Sequence, residues 1–200
     1  KEEAGIDVNV ISGIEEARLV YSGVLAHTQF AGRTFFLNDI GGGSTEISLS
    51  DDQSIYFVES LRLGTVRLKE MFDGQKGNTS QMVEAYVRRL IRPYLPNVSN
   101  RKIDMAVATG GTARNIAEIV RHRIGGLKEE NGLPILPTKS LTDLVSDMKK
   151  MSPKEISKLK GLDSSRQDII LSGAILLWTM LDEVGIEHSL ISPRGLRDGA

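Results

Sequence analysis

Short apolar runs, and stretches in which apolar and polar residues alternate, predict six β-strands along the chain. The predicted strands cover residues 8–11, 34–40, 45–50, 55–61, 103–108 and 189–191. No helix interrupts the three strands between residues 34 and 61, so we expect them to form an antiparallel meander. Helices separate the strands at 103–108 and 189–191 from it and from each other, so we expect these two to join the sheet in parallel.

Apolar residues at helical spacing occupy much of the remaining sequence. The predicted helices cover residues 14–25, 65–72, 79–94, about 112–123, 140–150, 153–159 and 166–183, with a further helix start at 194–200. The helix at 166–183 is the most apolar, and we expect it, with Trp178, to lie in the core. The Gly- and Pro-rich segment 125–137 is predicted to be a loop.

This order of elements predicts an α/β fold with a mixed, five-stranded sheet flanked by helices. The two ends of the sequence look interrupted. Lys1 opens it without a methionine, Gly5 is placed to stop a helix that begins earlier, and Ala200 follows a helix start directly. We interpret the 200 residues as an excised piece of a longer protein.

Composition narrows the classes of function. The 25 basic and 26 acidic side chains give a formal charge of −1, which argues against a general nucleic-acid binder or a polybasic membrane contact. The absence of cysteine excludes disulfides, thiolate metal sites and a cysteine nucleophile. No apolar run reaches the ~20 residues of a membrane span and no signal peptide opens the sequence, so we expect a cytoplasmic protein.

The most distinctive motif is a glycine-rich stretch between two predicted strands, Asp39 to Glu46. Gly41, Gly42 and Gly43 allow backbone N–H groups to approach an anion closely, and Ser44 and Thr45 add hydroxyl donors. The carboxylates of Asp39 and Glu46 flank the loop, which suits a hard cation such as Mg²⁺ or a positioned water. The alternative is a glycine-rich hairpin with two solvated acids.

A second motif places Gly110, Gly111 and Thr112 between a strand and a helix, where free N–H groups and the positive end of the helix dipole favour a phosphate. Arg114 would add charge. The alternative is a plain strand-to-helix turn capped by Thr112.

A third motif, Ser12 to Ala17, resembles a capping box, with Ser12 as the N-cap and Glu15 three residues later. This structural role accounts for Glu15 but not for Glu16, which lies about 100° further round the helix. From these residues alone, a catalytic Glu16 remains one option beside an ordinary surface position.

The remaining candidates are mainly structural. Pro193 fits the first turn of a helix, with a phosphate contact from Arg194 or Arg197 as the alternative. The three histidines show no metal-ligand spacing. The cluster at residues 88–92 is interpreted as a solvated arginine-rich helix face.

Together, the motifs resemble the exopolyphosphatase and guanosine pentaphosphate phosphohydrolase (Ppx/GppA) family. The resemblance rests on the segments 11–17, 39–46, 63–68, 108–112 and 195–199, in this order. It implies the fold of the actin, sugar kinase and heat-shock chaperone superfamily, a ribonuclease H-like α/β architecture. It also implies that residues 32–192 form the second domain, that 1–31 end the first domain and form the crossing helix, and that 193–200 begin a helix returning to the first domain. The family's upstream Asp-x-Gly-Ser-Asn loop has no counterpart here.

The resemblance also implies roles for individual residues. Glu16 matches the family's catalytic base, and Glu46 matches a second functional carboxylate that positions water or metal. The phosphate cradle implied by the resemblance consists of Gly41, Gly42, Gly43, Ser44 and Thr45, with Gly110, Gly111 and Thr112 opposite. Asp39, with Glu46, would hold Mg²⁺.

The expected activity is hydrolysis of the terminal phosphoanhydride of polyphosphate or guanosine pentaphosphate, with little turnover by the 200 residues alone. The expected partners are these substrates and a second copy of the full-length chain, and neither nucleic acid nor a membrane. Two alternatives stay open: a nucleotide-dependent kinase or ATPase on the same fold, and a non-catalytic module that binds guanosine polyphosphates or polyphosphate. The resemblance does not decide between the two substrates.

Overall fold

The computed structural model describes residues 10–200 and contains one sheet with helices on both faces. The strands are β1 (Phe35–Ile40), β2 (Thr45–Ser50), β3 (Ile55–Leu61), β4 (Met105–Thr109), β5 (Glu129–Glu130), β6 (Leu133–Pro137) and β7 (His188–Ile191). Their order across the sheet is β3-β2-β1-β4-β7-β6-β5. The predicted meander is confirmed, since β1, β2 and β3 pair antiparallel. The parallel pairing of β1 with β4 and of β4 with β7 is confirmed as well.

Nine helices lie among the described residues. They are α1 (Gly13–Leu25), α2 (Thr65–Phe72), α3 (Thr79–Ile91), α4 (Leu95–Val98), α5 (Gly110–Ile124), α6 (Thr138–Met148), α7 (Pro153–Ile156), α8 (Ile170–Val184) and α9 (Leu196–Gly199). Short 3₁₀ turns at residues 92–94 and 164–166 replace the predicted end of α3 and the predicted start of α8. Within residues 10–200, no helix combines the length and the apolar character that a membrane crossing requires.

The prediction of a loop at 125–137 is wrong, because this segment contributes β5 and β6 and raises the strand count from five to seven. Asn131 and Gly132 both adopt positive φ and turn the chain between the two strands. Leu133 and Leu136 are buried. Pro134 and Pro137 hid this strand, because proline lacks the N–H that a ladder needs and disrupts the apolar pattern.

The apolar residues form two cores, one on each face of the sheet. The larger contains α2, α3, α5, α6 and α8 packed on the sheet, and nine of the fifteen residues of α8 are buried, as predicted for a core helix. Trp178, predicted to lie in the core, is only partly buried and packs against its edge. The smaller lies beneath α1. Of the predicted strand 8–11, only Val10 and Ile11 are described and they are irregular; the predicted helix end at Gly5 lies outside the described residues.

The interpretation of residues 88–92 as a solvated arginine face is wrong for Arg88, which is half-buried. Its guanidinium donates to Glu183 Oε1 at 2.6 Å, to Asp182 Oδ2 at 2.8 Å and to Glu84 Oε1 at 3.2 Å. It also lies 5.3 Å from the centre of the Trp178 ring. Arg88 therefore joins α3 to α8.

Arg88→Gln is expected to lower the free energy of unfolding by about 1–2 kcal/mol at neutral pH, because Glu183 loses a charged donor at a mostly buried position. Arg88 lowers the pKa of Glu183 in the folded state, so this stabilisation is present above the ordinary carboxyl pKa and disappears as the pH falls through the lowered one. Urea unfolding at pH 7 and below pH 4 tests both statements. Arg89→Gln, at an exposed neighbour, should change stability by under about 0.5 kcal/mol.

Candidate functional site

The motifs from distant parts of the sequence meet at one edge of the sheet. Because β1, β4 and β7 run parallel, their carboxyl ends lie at the same edge. The segments that follow them are the glycine loop 41–44, the start of α5 at 110–112 and the segment 192–195. In open α/β sheets, ligands bind outside the carboxyl ends of such strands.

The glycine loop is held by its carbonyl groups. Gly41 O accepts from Thr65 N at 3.0 Å, and Gly42 O accepts from Val66 N at 3.0 Å and Arg67 N at 3.1 Å. These bonds satisfy the first N–H groups of α2, whose N-cap Gly64 has no side-chain bond. Within residues 10–200 no protein group accepts the N–H of Gly42 or of the following Gly43, so these donors stay free for an anion.

Gly64→Ala is expected to lower the free energy of unfolding by about 3 kcal/mol, because a Cβ there would lie 2.2 Å from Gly42 O. Neither backbone can retreat without breaking the bonds that join the loop to α2. Thermal unfolding measures the effect. The matched variant Gly43→Ala, where a Cβ would meet nothing within 4 Å, should unfold near the wild-type temperature; equal losses in both variants would contradict the packing described.

The start of α5 lies beside the glycine loop 41–44, because α5 follows β4 and the loop follows the neighbouring strand β1. Thr109, its N-cap, makes no side-chain bond to the helix, so the first N–H groups of α5 are not capped by it. Gly110 has a φ of +88°, and a Cβ there would lie 2.8 Å from Asp39 Oδ1. Gly111 lies under the guanidinium of Arg166, whose Nη2 would be 2.0 Å from an added Cβ. Glycine is therefore required sterically at position 110, where the backbone of Ile40 also lies 2.9 Å from an added Cβ, whereas a side chain at position 111 would displace only the guanidinium of Arg166.

Two side chains predicted to contact phosphate, those of Thr45 and Thr112, instead contact other residues inside the protein. Thr45 is fully buried, and its hydroxyl donates to Leu63 O at 2.5 Å. Thr112 is also buried and packs its methyl group against Gly173 of α8. A phosphate at this edge therefore has backbone N–H groups, rather than these two hydroxyls, within easier reach.

Three predicted carboxylates face the same region. Asp39 and Glu46 lie directly opposite each other in the β1–β2 ladder, so their side chains share a face of the sheet. Thr109 Oγ1 donates to Asp39 Oδ1 at 2.6 Å, and Ser60 Oγ donates to Glu46 Oε1 at 2.8 Å. Glu16 comes from the first turn of α1, which crosses the same face of the meander.

The environment raises the pKa of all three carboxyl groups. Burial is the main cause for Glu16, with the charge of Asp39 adding to it. Burial also raises the pKa of Asp39, against the hydrogen bond from Thr109. For Glu46, burial outweighs the hydroxyl bonds, and the charges of Glu16 and Asp39 raise its pKa further. Carboxyl groups with raised pKa values that repel one another are typical of catalytic and cation-binding sites.

Ser12 plays the predicted capping role, since its hydroxyl accepts from Glu15 N at 3.2 Å. Glu15 is exposed, whereas Glu16 is partly buried and within electrostatic reach of Asp39. The two adjacent glutamates therefore occupy different environments.

The donor chemistry suits a hard cation. Asp39 and Glu46 are oxygen ligands on one face of the sheet, and within the described residues no cluster of three or more His, Cys, Asp or Glu forms a complete metal cage. Mg²⁺ characteristically binds one or two carboxylates and takes its other ligands from water and substrate phosphates. Asp39 and Glu46 fit that pattern.

A cleft of about 420 Å³ opens between the start of α5 and the segment that follows β7. Four arginines line it: Arg114, Arg166, Arg194 and Arg197. Asp39, Gly110 and Gly111 also border it. The motifs had suggested three of these arginines but not Arg166, which comes from the 3₁₀ turn before α8. Arginine forks are well suited to phosphate oxygens.

A second cavity, of about 270 Å³, adjoins this cleft and shares Arg114 and Pro193 with it. Its lining is mostly apolar and includes Leu127, Pro134 and Ile191. The arginine-lined cleft thus borders a space suited to a flat apolar group.

A family model described as the Ppx/GppA phosphatase family matches residues 1–200. The chain belongs to the Ppx/GppA phosphatase family. Among curated relatives, the bifunctional 3-dehydroquinate synthase/phosphatase of Fusobacterium nucleatum is 30% identical over 199 residues. That match covers 96% of this chain and 29% of the relative.

Solved structures of Ppx/GppA proteins have the same fold. An exopolyphosphatase from Cytophaga hutchinsonii superposes with a TM-score of 0.86 at 23% identity, over 99% of this chain and 65% of that one. The Aquifex aeolicus Ppx/GppA family member gives a TM-score of 0.78 at 23% identity, over 99% and 64%. The predicted actin-like α/β fold is confirmed, and the chain spans less than two thirds of either protein.

Proposed function

We propose that the full-length protein hydrolyses the terminal phosphoanhydride bond of inorganic polyphosphate or guanosine pentaphosphate and releases phosphate. One observation carries the proposal: a single sheet edge brings three interacting carboxylates next to free glycine N–H groups and an arginine-lined cleft. Membership of a phosphatase family agrees with it. The division of the chain at residues 31 and 192 stays a prediction.

In this mechanism Glu16 orients the attacking water and takes up its proton. Its raised pKa makes it a stronger base than an exposed glutamate. The water attacks the terminal phosphorus as the bond to the bridging oxygen breaks. The shortened polyphosphate or guanosine tetraphosphate leaves with that oxygen.

Charge on the transferred phosphoryl group is neutralised by the N–H groups of Gly42 and Gly43, by the start of α5 and by the cleft arginines. Asp39 and Glu46 would hold Mg²⁺, which when bound supplies positive charge to the phosphate oxygens. Because two carboxylates at one edge repel each other and the anionic substrate, a cation between them would also remove an unfavourable interaction.

The assay compares the full-length protein on polyphosphate, guanosine pentaphosphate and ATP, with and without Mg²⁺. Phosphate release from either of the first two at rates well above those with ATP supports the proposal. Preference for ATP would indicate a kinase or ATPase instead, and tight binding without release would indicate a binding module. The apolar cavity beside the cleft is the reason to test the nucleotide separately, since polyphosphate has no group to occupy it.

The 200 residues alone are expected to release little phosphate. They match about two thirds of the length of the solved relatives, and the proposed cleft lies along an open edge of the sheet. Turnover by the isolated chain at the rate of the full-length protein would contradict this expectation.

A further inference from the structure

Ser60 is a residue that none of the sequence motifs singled out, and it lies between Glu46 and the start of α1, the helix that carries Glu16. It is the second-last residue of β3 and pairs directly with Glu46 in the β2–β3 ladder. Its hydroxyl donates to Glu46 Oε1 at 2.8 Å. Glu46 is only 3% exposed, so it depends on such donors to compensate for the loss of water.

The other side of Ser60 is covered by the start of α1. A Cβ on Gly13, the first residue of that helix, would lie 2.2 Å from Ser60 Oγ and 2.5 Å from its Cβ. The same Cβ would lie 3.8 Å from Glu46 Oε1. The absence of a side chain at Gly13 thus lets the helix backbone rest directly on the serine that holds Glu46.

This contact also bears on Glu16. Residues three apart lie on the same face of a helix, so Glu16 follows Gly13 along the face that meets the sheet. Glu16 is close enough to Glu46 and Asp39 to interact with their charges. Any shift of the first turn of α1 relative to Ser60 would therefore move Glu16 relative to the other two carboxylates.

We propose that Ser60 is a positioning residue for the hydrolytic reaction: it fixes Glu46 by a hydrogen bond and fixes the start of α1, and with it Glu16, by direct packing on Gly13. The inference rests on the proposed function. Ser60 does not line the arginine cleft, and within residues 10–200 no hydrogen bond joins it to the glycine loop, so its role concerns the reacting carboxylates rather than substrate affinity.

The test is Ser60→Ala in the full-length protein, assayed for phosphate release from polyphosphate. Removing the hydroxyl leaves Glu46 with the hydroxyl of Ser44 alone and loosens its orientation, so kcat should fall roughly tenfold while KM stays within about twofold. Ser60→Cys fills the same space with a poor donor and should behave alike, which guards against a folding defect in either variant. Ser50→Ala is the matched control, since Ser50 is a fully buried serine of the meander whose hydroxyl, within residues 10–200, donates to Ser48 and to no carboxylate.

Gly13→Ala provides the second arm, because the added methyl group must displace either Ser60 or α1. In the double variant Gly13→Ala/Ser60→Ala, the fold-loss of kcat should be smaller than the product of the two single fold-losses, because both changes act through one contact.

Each outcome bears on a different statement. If the wild-type protein releases phosphate and both Ser60 variants do so with the same kcat, Ser60 is not a positioning residue, and the proposed function still stands. An equal fall in Ser60→Ala and Ser50→Ala, or a rise in KM that matches the fall in kcat, also overturns it, as a general effect of lost packing. Absence of turnover in the wild-type protein overturns the proposed function and this inference with it.

Discussion

Glu16→Gln is expected to lower kcat for phosphate release by about two to four orders of magnitude, the usual contribution of a positioned general base. The amide keeps the size of the side chain and its hydrogen-bonding capacity but cannot accept the proton from water. KM should change little, because the glycine N–H groups and the cleft arginines are untouched. The loss of one negative charge beside Asp39 lowers the repulsion of an anionic substrate.

The chain offers a close control in Glu15→Gln. Glu15 is the adjacent acidic residue in the same helical turn, but it is exposed and lies on another face of α1. This variant should keep wild-type kcat. Steady-state phosphate release with both variants of the full-length protein makes the comparison, and similar rates in the two would remove Glu16 from the mechanism.

The second large effect is expected from the arginines of the cleft. Replacing Arg114 and Arg166 together by Gln should raise KM roughly 100-fold, about tenfold for each charged hydrogen-bonding group lost, with a smaller effect on kcat. Arg166 lies over Gly111 and Arg114 follows four residues into α5, so both border the space where phosphate groups would meet the helix start. Substrate affinity should also become less sensitive to salt.

Arg121→Gln is the matched control for these substitutions. Arg121 lies on the same helix, outside the arginine-lined cleft, and is already paired with Glu118 at 2.5 Å. Because Arg121 borders the apolar cavity, the comparison uses polyphosphate, which has no group to occupy that cavity, and KM for polyphosphate should stay within about twofold of wild type. A double variant with unchanged KM and unchanged salt dependence would show that phosphate does not occupy this cleft.

Local patterns predicted most of the fold, but not the β5–β6 hairpin. The meander and the parallel strands have clear apolar runs, and turns such as Asp51 to Gln53 separate them. The hairpin turns through Asn131 and Gly132, and its strands are short and interrupted by proline. It becomes a strand pair because β6 gains a long-range partner in β7, which no local pattern records.

The residues of the candidate site likewise fall into those that the sequence predicted and those that only the structure reveals. Glycine clusters and flanking acids are contiguous in sequence, so the motifs identified Asp39, Glu46 and Gly110. Arg166 and Ser60 reach the site only through tertiary packing, from a 3₁₀ turn and from the end of an edge strand. The function of the glycine-loop carbonyls in capping α2 likewise depends on contact between segments more than 20 residues apart.

The central claim is that water, activated by Glu16, attacks the terminal phosphorus of the substrate. The most direct measurement is polyphosphate hydrolysis by the full-length protein in ¹⁸O-labelled water, in parallel for the wild type and Glu16→Gln. The account predicts one solvent oxygen in each released phosphate, none in the shortened chain, and release slowed at least about 100-fold in the variant. Label in the shortened chain, or equal release rates in the two proteins, would contradict it.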